Sequence, residues 1–172
     1  ALQKRVDDLT KIITIGRAIT SIKKQKELQE KLVEAAIYIS SADKGWLLLR
    51  QGNSHSYNLA AQKNLPHNYA FNINQIWNDG ISCLVAKSGK SFTLHGEPLK
   101  KYWIHRLGQS ALFVPLKHKT EVKGLLVAMR SQPKPFTQNN QNLVEFVADY
   151  ASITMKNIEI FENLENHTNP TN

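Results

Sequence analysis

Two segments in the middle of the chain combine aromatic, thiol and charged side chains at short spacing. They contain Trp77, Asp79 and Cys83 in the first segment and Tyr102, Trp103 and Arg106 in the second. Indole and phenol rings can stack on a planar ligand, and a guanidinium can pair with a carboxylate or phosphate. We therefore predict a candidate site for a small planar or anionic molecule. Hydrophobic plugging of the two loops is the alternative role for the tryptophans.

The sequence shows no spacing that is typical of catalysis or of metal binding. We find no nucleophile–base pair, no glycine-rich phosphate loop and no acid pair of useful spacing. His95, His105 and His118 fall in two predicted loops and a turn, without the i,i+4 spacing or neighbouring thiolates of metal and haem sites. The pattern indicates a binding or regulatory module that is not an enzyme, and it leaves any cofactor unknown.

The cysteine content indicates a cytoplasmic protein. Cys83 is the single cysteine among 172 residues, which excludes an internal disulfide. We interpret it as a small buried residue on a short helix, because no basic or resolving partner for redox chemistry lies nearby in the sequence. No apolar run approaches the length of about 18 residues that a membrane span needs, and a signal-peptide pattern is missing. Because the chain begins with Ala1, we expect it to be a piece of a longer protein.

The positive charge is concentrated in the middle of the chain. The net charge is +8, and residues 63–130 contain ten Lys or Arg against three acids. Such a field favours an anionic ligand or partner, although a solvated basic surface gives the same pattern. Nucleic-acid binding is disfavoured because the sequence offers neither a recognition helix nor an aromatic pair typical of RNA-binding sheets.

A hairpin over residues 112–130 is the predicted centre of the fold. Two short apolar runs, rich in Val and Leu, flank a charged break, which is typical of paired strands. Pro115 must lie where no ladder hydrogen bond is needed, at a bulge or strand edge. Gly124 marks a bulge or a close backbone approach.

Further elements are predicted on both sides of this hairpin. A second hairpin covers residues 45–62, a short helix covers 81–87 and a strand covers 91–94. Two loops separate them, over residues 63–79 and 95–108. The inward-facing residues are predicted to be Ile73, Ile76 and Trp77 in the first loop and Ile81, Leu84 and Val85 in the short helix.

Helices are predicted at both ends of the chain. Residues 1–22 carry apolar positions at alternating steps of four and three, a heptad seam formed by Leu2, Val6, Leu9, Ile13 and Gly16. This seam favours pairing with a partner helix, hence a homodimer, and packing of the helix across its own sheet is the alternative. A second helix covers residues 26–41. The last helix covers residues 138–166, with Thr137 as its N-cap and a wide apolar face toward the sheet.

The order of these parts resembles a GAF domain. The resemblance rests on EAAIYISSADKGWLLL, ISCLVAKSGKSF, ALFVPLKHKTEVKGLLVAMRS and KPFTQNNQNLVEFVADYASITMKNIEIF, and it spans about residues 10–161. It implies an α+β sandwich, with a central antiparallel sheet of five or six strands and the terminal helices on one face. A small-molecule pocket, or its remnant, is expected on the other face. The implied divisions are a connecting helix at 1–22, the domain at 23–161, and a helix end with a tail at 162–172.

The resemblance also implies a function. It predicts a regulatory domain that senses a small molecule or a partner and passes a conformational change through its terminal helices to a covalently linked output domain. A ligand-free dimerisation module is the alternative, and packing of Trp77 and Trp103 into the sheet face would favour it.

The special ligands of the family match this sequence poorly. Bilin-binding members of the phytochrome type have a His after the attachment Cys, whereas Leu84 follows Cys83 here. Members that reduce free methionine sulfoxide use more than one cysteine. Cyclic-nucleotide members carry Asn-Lys, then Phe, and then Asp-Glu after three residues. Here Asn140 and Gln141 follow Phe136 at that spacing, and the Asn-Lys pair is missing.

Overall fold

The computed structural model describes residues 2–168, which form one antiparallel sheet, four α-helices and three short 3₁₀ helices. The strands are β1 (Lys44–Arg50), β2 (Tyr57–Lys63), β3 (Phe92–His95), β4 (Ser110–His118) and β5 (Glu121–Arg130). The α-helices are α1 (Leu2–Thr20), α2 (Gln25–Ser40), α3 (Ser82–Ser88) and α4 (Gln138–Thr168). The 3₁₀ helices span His67–Tyr69, Glu97–Lys101 and Trp103–Arg106. The strands lie in the order β2-β1-β5-β4-β3, which confirms the predicted fold class.

The β4–β5 hairpin lies at the centre of the sheet, as predicted. The ladder between β3 and β4 stops at Phe113, so Pro115 lies beyond it, and a register shift follows Leu116. Both features suit a residue without a backbone N–H. A Cβ on Gly124 would lie 2.6 Å from the carbonyl oxygen of Leu48, so glycine permits the close approach of β5 to β1.

The helical layer covers one face of the sheet with aliphatic side chains. Leu32 of α2 and Val147 of α4 pack in one buried cluster with Leu47, Leu112 and Leu126 of the strands. Each of these side chains is at most 1% exposed. The wide apolar face predicted for the last helix therefore builds this core, because helical spacing places one residue in every three or four on the same side.

Helix α1 packs on α4, and the two helices run in the same direction. The side chain of Asn139 donates a hydrogen bond of 3.2 Å to Asp8, and about two to three turns further along both helices Gly16 lies against the ring of Tyr150. A Cβ on Gly16 would come within 2.9 Å of that ring. Gly16 is thus buried, unlike the other positions of the predicted seam, Leu2, Val6, Leu9 and Ile13, which are all exposed.

Helix α4 begins with the predicted cap. The backbone N–H of Asn140 donates to the Thr137 hydroxyl at 3.1 Å, and the N–H of Thr137 donates to the side-chain oxygen of Asn140 at 2.8 Å. This reciprocal pair satisfies two free donors of the first turn. Asn140 therefore has a capping role at the position where cyclic-nucleotide members of the resembled family carry an acid. The helix has 31 residues, a length of about 46 Å.

A buried arginine ties this helix start to the rest of the domain. Arg130, at the end of β5, is 7% exposed. Its guanidinium donates hydrogen bonds of 2.6–3.3 Å to five oxygens, namely the carbonyls of Ser40, Ser41, Lys134 and Pro135 and the amide oxygen of Asn140. It also stacks on Phe136, 4.1 Å from the ring centroid. Burial lowers the pKa of Arg130, and the charge of Asp43 opposes that effect. The guanidinium also places a cation at the C-terminal end of α2, where the helix dipole favours one.

Residues 2–168 lack two features. None of their helices has the length and apolar character needed to cross a membrane. They also contain no group of three His, Cys, Asp or Glu side chains that could hold a metal ion. The predicted division at residues 22 and 161 stays a prediction, and residues 169–172 of the predicted tail lie outside the described part.

Candidate ligand-binding face

Loops cover the second face of the sheet, where the sequence predicts the site. The segment between β2 and α3 runs beside β2, because the N–H of Leu59 donates to Gln75 and the N–H of Trp77 donates to Tyr57, both at 2.9 Å. This pairing also covers the outer edge of β2. The 3₁₀ helices near residues 97–106 close the opposite side and are anchored by Leu99, Ile104 and Leu107, each at most 2% exposed.

Trp77 lies at the centre of this face and is 2% exposed. Its ring centroid is 5.4 Å from that of Trp46 on β1 and 5.3 Å from those of Phe71 and Trp103. These distances are typical of aromatic pairs that pack directly against one another. Four rings therefore fill the volume between the sheet and its loops, with Tyr69 stacked on the outer side of Phe71 at 5.6 Å.

Asp79 holds the turn between this cluster and α3. It is 4% exposed, and its carboxylate accepts hydrogen bonds from the Trp77 indole at 3.1 Å, the Ser82 hydroxyl at 2.6 Å, and the backbone N–H groups of Ile81 and Ser82 at 3.0 and 2.7 Å. A buried carboxylate needs such partners to offset its lost hydration. Asp79 therefore fixes the orientation of the indole and the start of α3, and these four donors occupy its oxygens.

Two predictions about α3 are wrong. Cys83 is exposed, with its sulfur 3.8 Å from the carbonyl oxygen of His55, and Leu84 is 63% exposed. Ile81 and Val85 face inward as predicted, and Ser82 and Ala86 are buried beside them. In a helix of seven residues, the position of the first turn decides which side chains face inward, and Asp79 sets that turn. Partial burial, and secondarily the charge of Asp79, raise the pKa of the Cys83 thiol.

The second predicted segment contributes two rings to the closure. Tyr102 and Trp103 are half-buried, and the Trp103 indole donates a hydrogen bond of 2.9 Å to the carbonyl oxygen of Asn78. Tyr102 lies over Gly80, where an added Cβ would be 3.6 Å from its ring. Arg106 is exposed, and no hydrogen bond or ion pair joins it to the other five candidates among residues 2–168.

The structure thus brings together Trp77, Asp79, Tyr102 and Trp103, while Cys83 and Arg106 lie at the surface around them. Sequence reasoning placed Ile73 and Ile76 in the core of the first loop, but they are 51% and 69% exposed. Phe71 takes their place. Phe71, Ile73 and Trp77 stand among polar residues at steps of two and four, and this spacing does not indicate which of them faces inward.

Surface clefts open on other parts of the described molecule. One of about 390 Å³ lies between the start of α2, the β4–β5 turn and α4, with Gln25, Lys117, Ser152 and Lys156 in its lining. Another of about 510 Å³ lies between β4 and α4, beside Lys90, Glu145 and Asp149. Burial and the nearby Glu145 raise the pKa of Asp149, and Lys117 opposes them. Trp77 and Trp103 line neither cleft.

The chain thus forms an antiparallel sheet with regular helices on one face and a loop-closed aromatic layer on the other. The sequence model of the GAF domain matches residues 24–156, more than half of the chain. The chain therefore belongs to the GAF domain family, as its motifs predicted. GAF domains are sensory and regulatory modules of signalling proteins and are generally not catalytic.

Solved structures agree on the fold. The chain is 16% identical to the GAF domain of a phosphoenolpyruvate-protein phosphotransferase from Coxiella burnetii, with a TM-score of 0.78 over 92% of this chain and 98% of that one. The corresponding domain from Acinetobacter is 18% identical, with a TM-score of 0.75 over 88% and 94%. A GAF domain of a putative sensor histidine kinase from Pseudomonas syringae pv. tomato is 13% identical, with a TM-score of 0.69 over 96% of both chains. A search of curated proteins finds no match.

Proposed function

We propose that this chain is a regulatory domain of a larger cytoplasmic signalling protein, and that it works as a dimerising coupling module whose sheet face is closed by its own side chains. Residues 1–22 act as the connecting and dimerisation helix, and α4 leads toward a covalently linked output domain. The observation that carries this proposal is the burial of Trp77 against three other rings.

The aromatic closure supports a ligand-free resting state. A ligand of the size of a nucleotide needs a chamber of about 300 Å³ or more. At Trp77 that space holds indole and phenyl groups, two of them fixed by hydrogen bonds, from Trp77 to Asp79 and from Trp103 to Asn78. Opening the face would require breaking these bonds and exposing the rings to water.

The exposed stripe on α1 supports self-association. Leu2, Val6, Leu9 and Ile13 are 78%, 48%, 60% and 52% exposed. Four apolar side chains on one side of a helix lose contact with water if a second helix covers them. The seam follows coiled-coil spacing, and the positions between its members are charged or polar except for Ile12, which is buried in the domain. This pattern suits a narrow helix–helix contact.

Arg130 supports coupling between the sheet and the helices. Its single guanidinium bonds to the end of α2 and to the start of α4, while its backbone ends β5. A displacement of β5 or of its neighbouring loops would therefore change the position of both helices at once. Coupling of this kind requires two arrangements with different affinities for a partner.

A second candidate function, sensing of a small molecule at the aromatic face, has one observation in its favour. The indole N–H of Trp46 is buried and has no hydrogen-bond partner within the described residues. An unpaired buried donor costs about 1–3 kcal/mol, which an acceptor atom of a ligand could offset. Trp103 and Tyr102 are half-buried at the outer side, and Lys100, Lys101 and Arg106 are exposed beside them.

Native mass spectrometry of residues 1–172, purified from cells and then denatured, tests both functions. The proposal predicts a dimer whose mass equals two chains. A mass excess that disappears on denaturation would replace it with the sensing function, and the mass would identify the ligand. A mass of one chain at all protein concentrations would contradict the proposed dimerisation.

A matched pair of variants tests the role of α1. Leu9→Lys places a charge in the stripe and should weaken the dimer by about tenfold or more. Thr14→Lys adds the same charge at an exposed position outside the stripe and should leave the dimer unchanged. Equal effects of the two variants would show that net charge, and not the stripe, controls association.

A further inference from the structure

The outward side of α4 carries a second heptad pattern. Phe146, Tyr150, Ile153, Asn157 and Ile160 follow one another at alternating steps of four and three residues, and Leu164 continues the spacing. Phe146, Ile153 and Ile160 are 53%, 59% and 47% exposed. In coiled-coil terms these three occupy d positions, and Tyr150 and Asn157 occupy a positions. We refer to these five residues as the α4 seam.

The α4 seam is continuous with the packing of α1. The ring of Tyr150 covers Gly16, so its a position lies at the boundary between the two helices. The residues of α4 that build the core of the domain, among them Val147, Ala151 and Ile158, lie on the other side of the helix. Covering the seam therefore requires no change in the packing of the domain itself.

Asn157 interrupts this apolar seam. It is exposed, and its side chain forms no hydrogen bond among residues 2–168. An amide in the middle of an apolar contact loses hydration, at a cost of about 1–3 kcal/mol unless it finds a partner. A helix that covers the seam must therefore supply a hydrogen-bond partner for the Asn157 amide, and this requirement indicates which helix it is.

A second copy of this chain supplies it. In a parallel, in-register pair the same a position of both helices meets, so two Asn157 amides face each other and each provides a donor and an acceptor. A pair shifted by a heptad would place the amide against Tyr150 or Leu164, and an antiparallel pair would place it against a d residue such as Ile153 or Ile160, so in neither case does it meet a second amide.

The flanking positions are compatible with this arrangement. In a parallel pair, each residue before an a position faces the residue five places further on in the other helix. Asp149 would lie opposite Thr154, which is uncharged and buried within its own domain. Lys156 would face Phe161, whose ring the lysine stem can cover. No like charges meet across the seam.

We infer that Asn157 pairs with its own copy across the α4 seam and thereby restricts the domain to a parallel, in-register, two-stranded assembly. The inference rests on the proposed dimer and adds what sets its register and its number of chains. Because Ile153 and Ile160 occupy d positions, a Leu at the a position of Asn157 would favour assemblies of three or four strands, so the amide is what restricts the number of chains to two.

Disulfide trapping in a Cys83→Ser chain tests the register. Ile160→Cys should form a covalent dimer on oxidation, whereas Glu162→Cys, on another side of the same helix turn, should not. When chains carrying Ile153→Cys and Ile160→Cys are mixed, in-register pairing gives disulfides between identical positions alone. Mixed disulfides in the presence of Asn157 would overturn the inference.

Asn157→Leu tests the number of chains, with light scattering after size exclusion as the measurement. We expect the variant to form species larger than a dimer, or to give mixed 153–160 disulfides. Asn166→Leu, the same change at an exposed position on another side of the helix, should remain an in-register dimer. If Asn157→Leu also remains an in-register dimer, the inference about Asn157 fails while the proposed dimer stands. If the parent chain is a monomer, both the inference and the proposed dimer fail.

Discussion

The two faces of the sheet are buried by different means. On one face, regular helices contribute aliphatic side chains such as Leu32 and Val147, which pack in one cluster with Leu47 and Leu126 of the sheet. On the other, irregular loops supply rings, and Trp77 alone contacts three of them. The amount of exposed surface at the centre of each face is nearly zero in both cases.

The difference shows how the covering element determines the side chains that a core needs. A helix places a side chain on the sheet at every third or fourth residue, so many small contacts fill the space. A loop has no such period and offers few inward positions, so each must fill more volume. Large rings meet that need, and the hydrogen bonds that two indole N–H groups donate to Asp79 and Asn78 fix the rings where no helix does so.

The largest expected effect tests whether the loop-covered face contributes as much to the free energy of unfolding as the helix-covered face. Trp77→Ala should lower the free energy of unfolding by about 3–5 kcal/mol, because the indole is buried and the cavity cannot close fully. Leu126→Ala on the helix-covered face should cost about 2–5 kcal/mol. Urea denaturation of both variants measures the two values.

Trp77→Phe is the control for that pair, since it keeps a ring and removes the hydrogen bond to Asp79. Its loss should be clearly smaller than that of Trp77→Ala. If Trp77→Ala is as stable as the parent chain, the rings do not form a core and the comparison of the faces is wrong.

The next effect concerns the helix-covered side. Arg130→Met removes a buried guanidinium from five oxygen acceptors and should cost about 3 kcal/mol, since each charged hydrogen bond contributes about 1.5–3 kcal/mol and water replaces only some of them. Arg106→Met removes an exposed arginine and should change stability by less than about 0.5 kcal/mol. Equal losses in thermal or urea unfolding would contradict the role given to Arg130.

A smaller and more local effect is expected at the half-buried ring. Trp103→Ala should destabilise the domain by about 1 kcal/mol. Its main effect should be faster hydrogen exchange in residues 97–107, with little change in β1 and β5. Trp103→Phe keeps a ring but loses the hydrogen bond to Asn78, so its exchange rate should lie between those of the parent chain and of Trp103→Ala. Uniformly faster exchange across the sheet would mean that Trp103 belongs to the global core.

The smallest effect concerns the thiol at the border of the loop-covered face. Because partial burial and Asp79 raise the pKa of Cys83, the thiolate is less populated at a given pH than in an ordinary peptide. The rate of alkylation by iodoacetamide should therefore reach half its plateau at a higher pH in the folded chain than in the same chain unfolded in guanidinium. A midpoint at or below that of the unfolded chain would contradict this.

The sequence predicts the regular parts of this molecule well and the loops poorly. The β4–β5 hairpin, the roles of Pro115 and Gly124 and the Thr137 cap follow from local chemistry that few residues determine. The heptad steps of α1 also identified a real stripe, but they assigned Gly16 to it, because spacing alone does not reveal that Tyr150 lies against that glycine.

Within the candidate site, the identity of the central ring was predictable and its surroundings were not. The sequence identifies Trp77 and Trp103 as large rings in two predicted loops. The inward turn of Phe71, and the outward turn of Ile73, Cys83 and Leu84, depend on where each loop contacts the sheet. These contacts join residues that are distant in sequence, so no local pattern records them.

The common direction of α1 and α4 has a consequence for how such a domain can be connected to others. A chain that enters the domain along α1 and leaves along α4 continues in the same direction. A helix before the domain and a helix after it can therefore follow one axis without a reversal of the chain. Several units could then be joined in series as one rod, and an axial shift or rotation delivered at one end would leave at the other with the same sense.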